Sequence, residues 1–278
     1  MTVEDVTRET NPQERSTSVE DHIQFEKDGN VARVWLNRPW KRNSVNRAIL
    51  ERLDQIVTEV DNDPELRVLV LRGREGTFCS GFDLDELKAE HIGTSNAYEV
   101  AEMSARICDN LYQMKTPTVA VLEGYTTAGG FELMISCDFA IASDDAKLGD
   151  FHINRALFGG AGPIYRVPRM IGLRKTKELM LTGKLLTGVE ATEWGLINKS
   201  APAEKLDETV EEFISHLTNK SPFQMSLTKS TIEQSLDASI QSLMVMERLA
   251  VGVTLNSDDA KEGVTAFLEK REPKWTGR

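Results

Sequence analysis

The stretch EGYTTAGGFELMISCDFAIAS, residues 123–143, contains the pattern from which the fold class of this chain follows. The glycine pair Gly129-Gly130 precedes an apolar helical segment, and a short strand, FAIAS, comes after it at 139–143. TVAVLEG at 118–124, which overlaps the start of the stretch, predicts a buried strand. Strands that alternate with helices need crossover connections, so the pattern is typical of an α/β protein with a largely parallel sheet.

The rest of the chain extends this pattern. The further predicted elements are a β-hairpin around Asp28-Gly29-Asn30 at 22–37, an amphipathic helix at 45–61, a buried strand at 67–73 and a helix at 97–115. From about residue 172 onward the pattern is helical and shows no strand of comparable quality. We therefore predict a disordered N-terminal tail over residues 1–20, an α/β core over 21–200 and a helical C-terminal region over 201–278.

Composition and charge exclude several classes of function. The 278 residues are 40% apolar and 28% charged, which is typical of a globular protein. The 33 basic and 44 acidic residues give a net charge of -11, which repels nucleic acid and anionic lipid, although a local basic pocket can still bind a small anion. Because no apolar run approaches the roughly 20 residues of a membrane helix, we predict no membrane span.

Cysteine usage and the N-terminal residues indicate the compartment. The chain begins with acidic residues and has no apolar run there, unlike a secretory or mitochondrial signal. Its cysteines, Cys79, Cys108 and Cys137, are odd in number and lack metal-ligand spacing. We predict a cytoplasmic protein whose thiols are buried or idle.

Three glycine-containing segments stand where a strand gives way to a loop or helix, the usual ligand edge of an α/β sheet. In the first, Ser80-Gly81 makes a turn whose backbone amides could point at an anion. In the second, free N–H groups follow Gly129 at a helix start, and Glu132 lies within that helix. The third, residues 148–172, brings Asp150 and His152 to the same edge.

Seven motifs follow one another along the chain: NRPWKRNS (37–44), SGFD (80–83), TAGGFELMISCDFAIAS (127–143), FGGAGPIYRVPRMIG (158–172), LTG (181–183), EATEWGLIN (190–198) and FLEKREPKW (267–275). Their order and spacing resemble the crotonase, or enoyl-CoA hydratase/isomerase, superfamily from about residue 22 to residue 275. The resemblance implies a ClpP-like β-β-α superhelical core with a helical C-terminal trimerisation region. It also implies a homotrimer or a dimer of trimers.

The resemblance further implies an acyl-CoA substrate whose thioester oxygen lies between the backbone amides of Ser80 and Gly129. Preorganised donors at that oxygen stabilise the enolate-like charge that develops there during the reaction. Glu132 aligns with the first catalytic glutamate of the hydratases, whereas His152 occupies the place of the second. Asp150, two residues before, is a candidate to orient the imidazole.

The pairing of glutamate with histidine leaves the reaction open. An imidazolium could protonate the α-carbon, while a neutral imidazole could deprotonate water for attack on a carbonyl. Our leading hypothesis is the addition of water across an enoyl-CoA double bond, with isomerisation not excluded. The alternatives are an acyl-CoA or β-diketone (C–C bond) hydrolase that uses His152, and an acyl-CoA-binding protein without catalytic activity.

Coenzyme A is part of the substrate, and we expect no metal or redox cofactor. The resemblance assigns contacts with the CoA portion to Lys41, Arg42, Phe82, Asp83, Gly130, Phe267 and Lys270. Asp83 is equally well placed to cap the helix that follows it. The residues Met103, Phe151, Phe158 and Tyr165 either shape an acyl pocket or belong to the core.

Overall fold

The computed structural model describes residues 18–278. Its strands are β1 (Ile23–Asp28), β2 (Val31–Leu36), β3 (Val68–Gly73), β4 (Thr118–Leu122), β5 (Tyr125–Thr127), β6 (Phe139–Ser143), β7 (Lys147–Gly149) and β8 (Lys199–Ala201). Its helices are α1 (Val19–His22), α2 (Arg47–Asn62), α3 (Leu84–Glu86), α4 (Ala97–Gln113), α5 (Gly129–Met134), α6 (Pro163–Thr182), α7 (Gly188–Trp194), α8 (Leu206–Thr218), α9 (Pro222–Gln234), α10 (Ile240–Leu255) and α11 (Asp258–Glu269). A π-helix covers Leu87–His91, and short 3₁₀ helices cover Pro39–Lys41, His152–Arg155 and Ala203–Lys205.

The main sheet has six strands in the order β1-β2-β3-β4-β6-β8. β1 and β2 form the predicted antiparallel hairpin, and every other neighbouring pair is parallel. Successive side chains of a strand point to opposite faces, so Leu69 and Leu71 pack in the larger core with α2 and α4. Val68 and Val70 face the other way and pack against α8. The α/β prediction with a largely parallel sheet is confirmed.

A second, two-stranded sheet positions the ligand edge. β5 and β7 are parallel, with Thr127 opposite Gly149. Cys79 forms a parallel bridge to Thr126 on the other side of β5. The segments that contain Cys79, β5 and β7 thus run parallel to one another. Because parallel neighbours point in the same direction, all three end at the same edge. Neither three-residue strand was predicted from the sequence.

The C-terminal part is mostly helical, as predicted, but it also contributes a strand. β8 pairs in parallel with β6 at the end of the main sheet, so the expectation of a helical pattern throughout from about residue 172 is wrong at this one short strand. Three residues are too few for a periodicity signal. Helices α9 and α10 contain no buried residue in the chain described.

The predicted tail over residues 1–20 lies mostly outside the described residues. Within residues 18–20, Val19 begins α1 and packs against the core. All three cysteines are buried and form no disulfide, as expected, and the cytoplasmic location inferred from them stays a prediction. Among residues 18–278, no helix has the length and apolar character needed to cross a membrane.

Candidate active site

A cavity of about 860 Å³ lies at the shared edge of the three segments. Its wall includes Ser80, Gly129, Glu132 and His152, one or more from each predicted glycine-containing segment. Asp150 lies directly behind the wall and is buried. The fold brings these predicted residues together because Ala128 and Asp150, which follow β5 and β7, are joined by a hydrogen bond of 2.9 Å from the Ala128 N–H to the Asp150 carbonyl.

The predicted pair of oxyanion donors needs one correction. The N–H group of Ser80 already donates to the carbonyl of Arg42 at 3.0 Å. The N–H groups of Phe82 and Gly129, in contrast, donate to no other atom of residues 18–278. A Cβ placed on Gly129 would lie 3.4 Å from the Phe82 nitrogen, so the two groups are neighbours. The available donor pair is therefore Phe82 with Gly129.

The two glycines at the start of α5, Gly129 and Gly130, have different tasks, and alanine substitutions should separate them. In Gly129→Ala the new methyl group makes only ordinary contacts but lies beside the Phe82 N–H. We expect an unchanged melting temperature and, because the methyl group crowds the oxygen that the Phe82 N–H would bind, a loss in kcat of up to about 10²–10³-fold, the range for the loss of one oxyanion donor. In Gly130→Ala the methyl group would lie 2.2 Å from the Cys79 carbonyl oxygen, so we expect a clear loss of thermal stability. Calorimetry and steady-state kinetics on both variants measure the contrast, and equal stability losses would contradict it.

Glu132 lies in the first turn of α5 and is 5% exposed. One of its carboxylate oxygens, Oε1, accepts a hydrogen bond of 2.9 Å from the N–H of Ala161. Burial raises the pKa of Glu132 above its ordinary value, although the nearby His152 and the backbone N–H groups of Ala161 and Gly160 act in the opposite direction. A carboxyl group with a raised pKa is suited to exchange protons.

His152 and Asp150 form a dyad beside Glu132. His152 Nδ1 lies 3.0 Å from Asp150 Oδ1. Since a carboxylate can only accept, the proton is on Nδ1, and Nε2 is the ring nitrogen left to exchange protons with a ligand. Burial lowers the pKa of His152, but the hydrogen bond to Asp150 and the charges of Glu132 and Asp150 outweigh it, so the pKa is raised.

The residues predicted for CoA contacts divide into two groups. Lys41, Arg42, Phe82 and Asp83 line the cavity. Gly130 is buried against Cys79 and does not line it. Phe267 and Lys270, on α11 and at its end, also lie outside this cavity, and Phe267 is 81% exposed.

The cations of the cavity wall differ in their availability. Lys41 Nζ is ion-paired with Asp83 at 2.8 Å and with Asp85 at 2.9 Å. Asp83 also pairs with the buried Arg38 and caps α3, as predicted. Arg42 forms no ion pair within the described chain, and its guanidinium lies 5.1 Å from the ring centroid of Tyr125. Arg42 is therefore the more available of the two predicted cations.

Of the four residues predicted either to shape an acyl pocket or to belong to the core, two line the cavity and two do not. Phe151 and Phe158 line the cavity. Met103 belongs to the buried core, and the Tyr165 ring lies over the guanidinium of Arg166. Among residues 18–278 there is no cluster of three His, Cys, Asp or Glu side chains that could hold a metal ion.

Sequence reasoning missed the backbone contributors to this site. The sequence predicts Phe82 as a contact with the CoA portion and not as an oxyanion donor, and it does not predict the Ala161 N–H that binds Glu132. The glycine-rich motif FGGAGP at 158–163 was the available signal for the latter, because a Cβ at Gly159 would lie 3.1 Å from Glu132 Oε1. Glycine there lets the loop approach the carboxylate closely.

The profile of one protein family, described as enoyl-CoA hydratase/isomerase, matches residues 26–278. The chain belongs to this family. It is 29% identical over 252 residues to the short-chain-enoyl-CoA hydratase of Clostridium acetobutylicum, covering 90% of this chain and 96% of that one. It is 30% identical over 253 residues to the crotonyl-CoA hydratase of Syntrophomonas wolfei, covering 91% and 96%.

Solved structures of the enoyl-CoA hydratase/isomerase family agree with this fold. The crystal structure of enoyl-CoA hydratase from Bacillus anthracis superposes with a TM-score of 0.88 at 31% identity, over 92% of this chain and 100% of that one. The predicted crotonase fold, the family and the class of enzyme acting on acyl-CoA are thereby confirmed. The roles of individual residues stay predictions.

Proposed function

We propose that this protein adds water across the double bond of an α,β-unsaturated acyl-CoA thioester. The observation that carries the proposal is the placement of two proton-exchanging side chains, Glu132 and His152, in one cavity beside the free N–H groups of Phe82 and Gly129. The relatives named as hydratases support the same reaction. In this proposal His152 takes the role that the family resemblance implies for a second glutamate.

In the proposed reaction, the backbone N–H groups, Glu132 and His152 each have one task. The thioester oxygen accepts hydrogen bonds from the Phe82 and Gly129 N–H groups, which stabilise the negative charge that develops on it. The Glu132 carboxylate takes a proton from water as the water oxygen bonds to the β-carbon. The imidazolium of His152 then gives its Nε2 proton to the α-carbon, which restores the carbonyl, while Asp150 holds the ring and stabilises its charge.

A second candidate function, hydrolysis, is favoured by the contact between His152 and Asp150. With the proton held on Nδ1, a neutral imidazole can accept a proton at Nε2 from water that attacks a carbonyl carbon. The same pair of N–H groups would hold the oxyanion. Cleavage of the thioester releases free CoA and an acid, and cleavage of a β-diketone breaks a C–C bond and adds water.

Mass spectrometry separates these reactions by product. The purified protein is incubated with short, long and cyclic enoyl-CoA and β-ketoacyl-CoA thioesters. We expect the gain of one water with the thioester intact. Free CoA or a ring-opened acid would establish the hydrolase instead, and tight binding without any conversion would establish an inactive acyl-CoA-binding protein.

We also propose that the chain assembles as a homotrimer or a dimer of trimers. The C-terminal helices expose several large apolar side chains, and such exposure is typical of a surface that a partner subunit covers: Leu249 (64%), Leu255 (70%), Phe267 (81%) and Leu268 (75%). We expect light scattering to give three or six chain masses. Leu255→Asp should reduce that mass, whereas Lys115→Asp, at an exposed position outside the C-terminal helices, should not. A monomeric parent protein would contradict the proposal.

A further inference from the structure

Arg166 is a buried arginine of α6 that no step of the proposed reaction uses. It is 5% exposed. Its Nη2 donates to Asp109 Oδ1 at 2.7 Å, and its Nη1 donates to Ser136 Oγ at 2.7 Å and to the Ala161 carbonyl at 3.3 Å. These three hydrogen bonds satisfy the two terminal nitrogens of this buried cation, whereas its Nε has no hydrogen-bond partner among residues 18–278.

Two of these bonds lead to Glu132. Arg166 donates to the carbonyl of Ala161, and the N–H of the same Ala161 donates to the Glu132 carboxylate. Ser136 Oγ, which accepts from Arg166, donates to the main-chain carbonyl of Glu132 at 2.7 Å. One guanidinium therefore fixes both the helix that carries Glu132 and the loop that binds its carboxylate.

The guanidinium itself has little freedom. It lies between two aromatic rings, 4.6 Å from the ring centroid of Tyr112 and 5.2 Å from that of Tyr165. Tyr165 in turn donates to the same Asp109 oxygen. A lysine in this place would keep the charge but lose the planar fork that reaches several acceptors at once.

We propose that Arg166 is a positioning residue that holds the Gly160–Ala161 backbone against the Glu132 carboxylate and so sets how readily Glu132 exchanges its proton. The part of this proposal that concerns catalysis rests on the proposed role of Glu132. The part that concerns the carboxyl group stands on the hydrogen bonds alone.

Loss of Arg166 should change the titration of Glu132 in a defined direction. The groups that face Glu132 are His152, Asp150 and, on α4, Cys108. The N–H groups of Ala161 and Gly160 lower its pKa, whereas burial raises it. If the loop moves away from Glu132, the carboxyl group stays buried but loses the hydrogen bonds from the N–H groups, so its pKa should rise further.

The experiment compares Arg166→Met with Arg169→Met. Arg169 is on the same helix, its side chain is 39% exposed, and within residues 18–278 its one ion pair is with Asp237, so it is a matched control. NMR of the ligand-free protein with ¹³C-labelled glutamate follows Glu132, whose resonance is the one missing in Glu132→Gln. We expect a higher Glu132 pKa in Arg166→Met only, with kcat lower by about 10–100-fold and KM changed less than twofold. Arg166→Lys should show the same direction and replaces the methionine variant if that variant does not fold.

A double variant completes the test. If Arg166 acts through Glu132, Arg166→Met should cause no further loss in the Glu132→Gln background. An equal loss in both backgrounds, or a folded variant with an unchanged Glu132 pKa, would overturn the proposal. A parent protein that hydrates no enoyl-CoA would refute the proposed function, yet the NMR measurement would still decide the role of Arg166.

Discussion

Replacing Glu132 by glutamine lowers kcat for enoyl-CoA hydration by about 10²–10⁴-fold, the usual contribution of a general base. The amide oxygen can still accept the hydrogen bond from the Ala161 N–H, so the loop keeps its place. An amide cannot take a proton from water, so the loss falls on the chemical step. Steady-state kinetics with a short enoyl-CoA should show the loss in kcat with little change in KM.

Glu233→Gln is the matched control for this experiment. Burial also raises the pKa of Glu233, but this residue is on α9 and does not line the cavity. Its replacement should leave kcat within about twofold of the parent value. Parent-like turnover in Glu132→Gln would show that Glu132 is not the base and that the proposed division of roles is incorrect.

Replacing His152 by glutamine should lower turnover by a similar factor, about 10²–10⁴-fold, because an amide cannot deliver the second proton that the mechanism assigns to Nε2. The pH profile of the parent protein then shows whether the active enzyme needs His152 as the imidazolium or as the neutral imidazole. Hydration needs the Glu132 carboxylate and the His152 imidazolium. Activity should therefore rise as the pH passes the raised pKa of Glu132 and fall as it passes the raised pKa of His152.

Asp150→Asn tests the sign of this dependence. The hydrogen bond and the charge of Asp150 raise the pKa of His152. The amide oxygen of asparagine can still accept the hydrogen bond from Nδ1 but is uncharged, so the pKa of His152 should fall. For a hydratase the falling limb of the profile should move to lower pH. A hydrolase needs the neutral imidazole, so its activity rises as the pH passes the pKa of His152. In Asp150→Asn this rising limb should move to lower pH. A profile that does not move at all would exclude a role of the dyad in proton transfer.

The helices and long strands follow from local patterns, and the structure confirms them. In α2, the apolar residues at helical spacing are all buried: Ile49, Leu50, Leu53, Ile56, Val57 and Val60. The hairpin turn at Gly29 likewise lies where its residues predicted it. Each of these features is determined by residues that are close together in the chain, within one helix or one hairpin, so it can be predicted from the sequence alone.

The assembly of the site depends on residues far apart in the chain. The choice between Ser80 and Phe82 as oxyanion donor is made by the Arg42 carbonyl, which occupies the Ser80 N–H from a separate segment. Strands β5 and β7 are each too short for a periodic signal and exist because they pair with one another. Arg166, a helix residue whose burial no local pattern indicates, is enclosed by Asp109, Ser136 and two tyrosines. Local side-chain patterns determine which elements form, whereas a free N–H group or a buried charge is defined by which distant atoms come to lie against it.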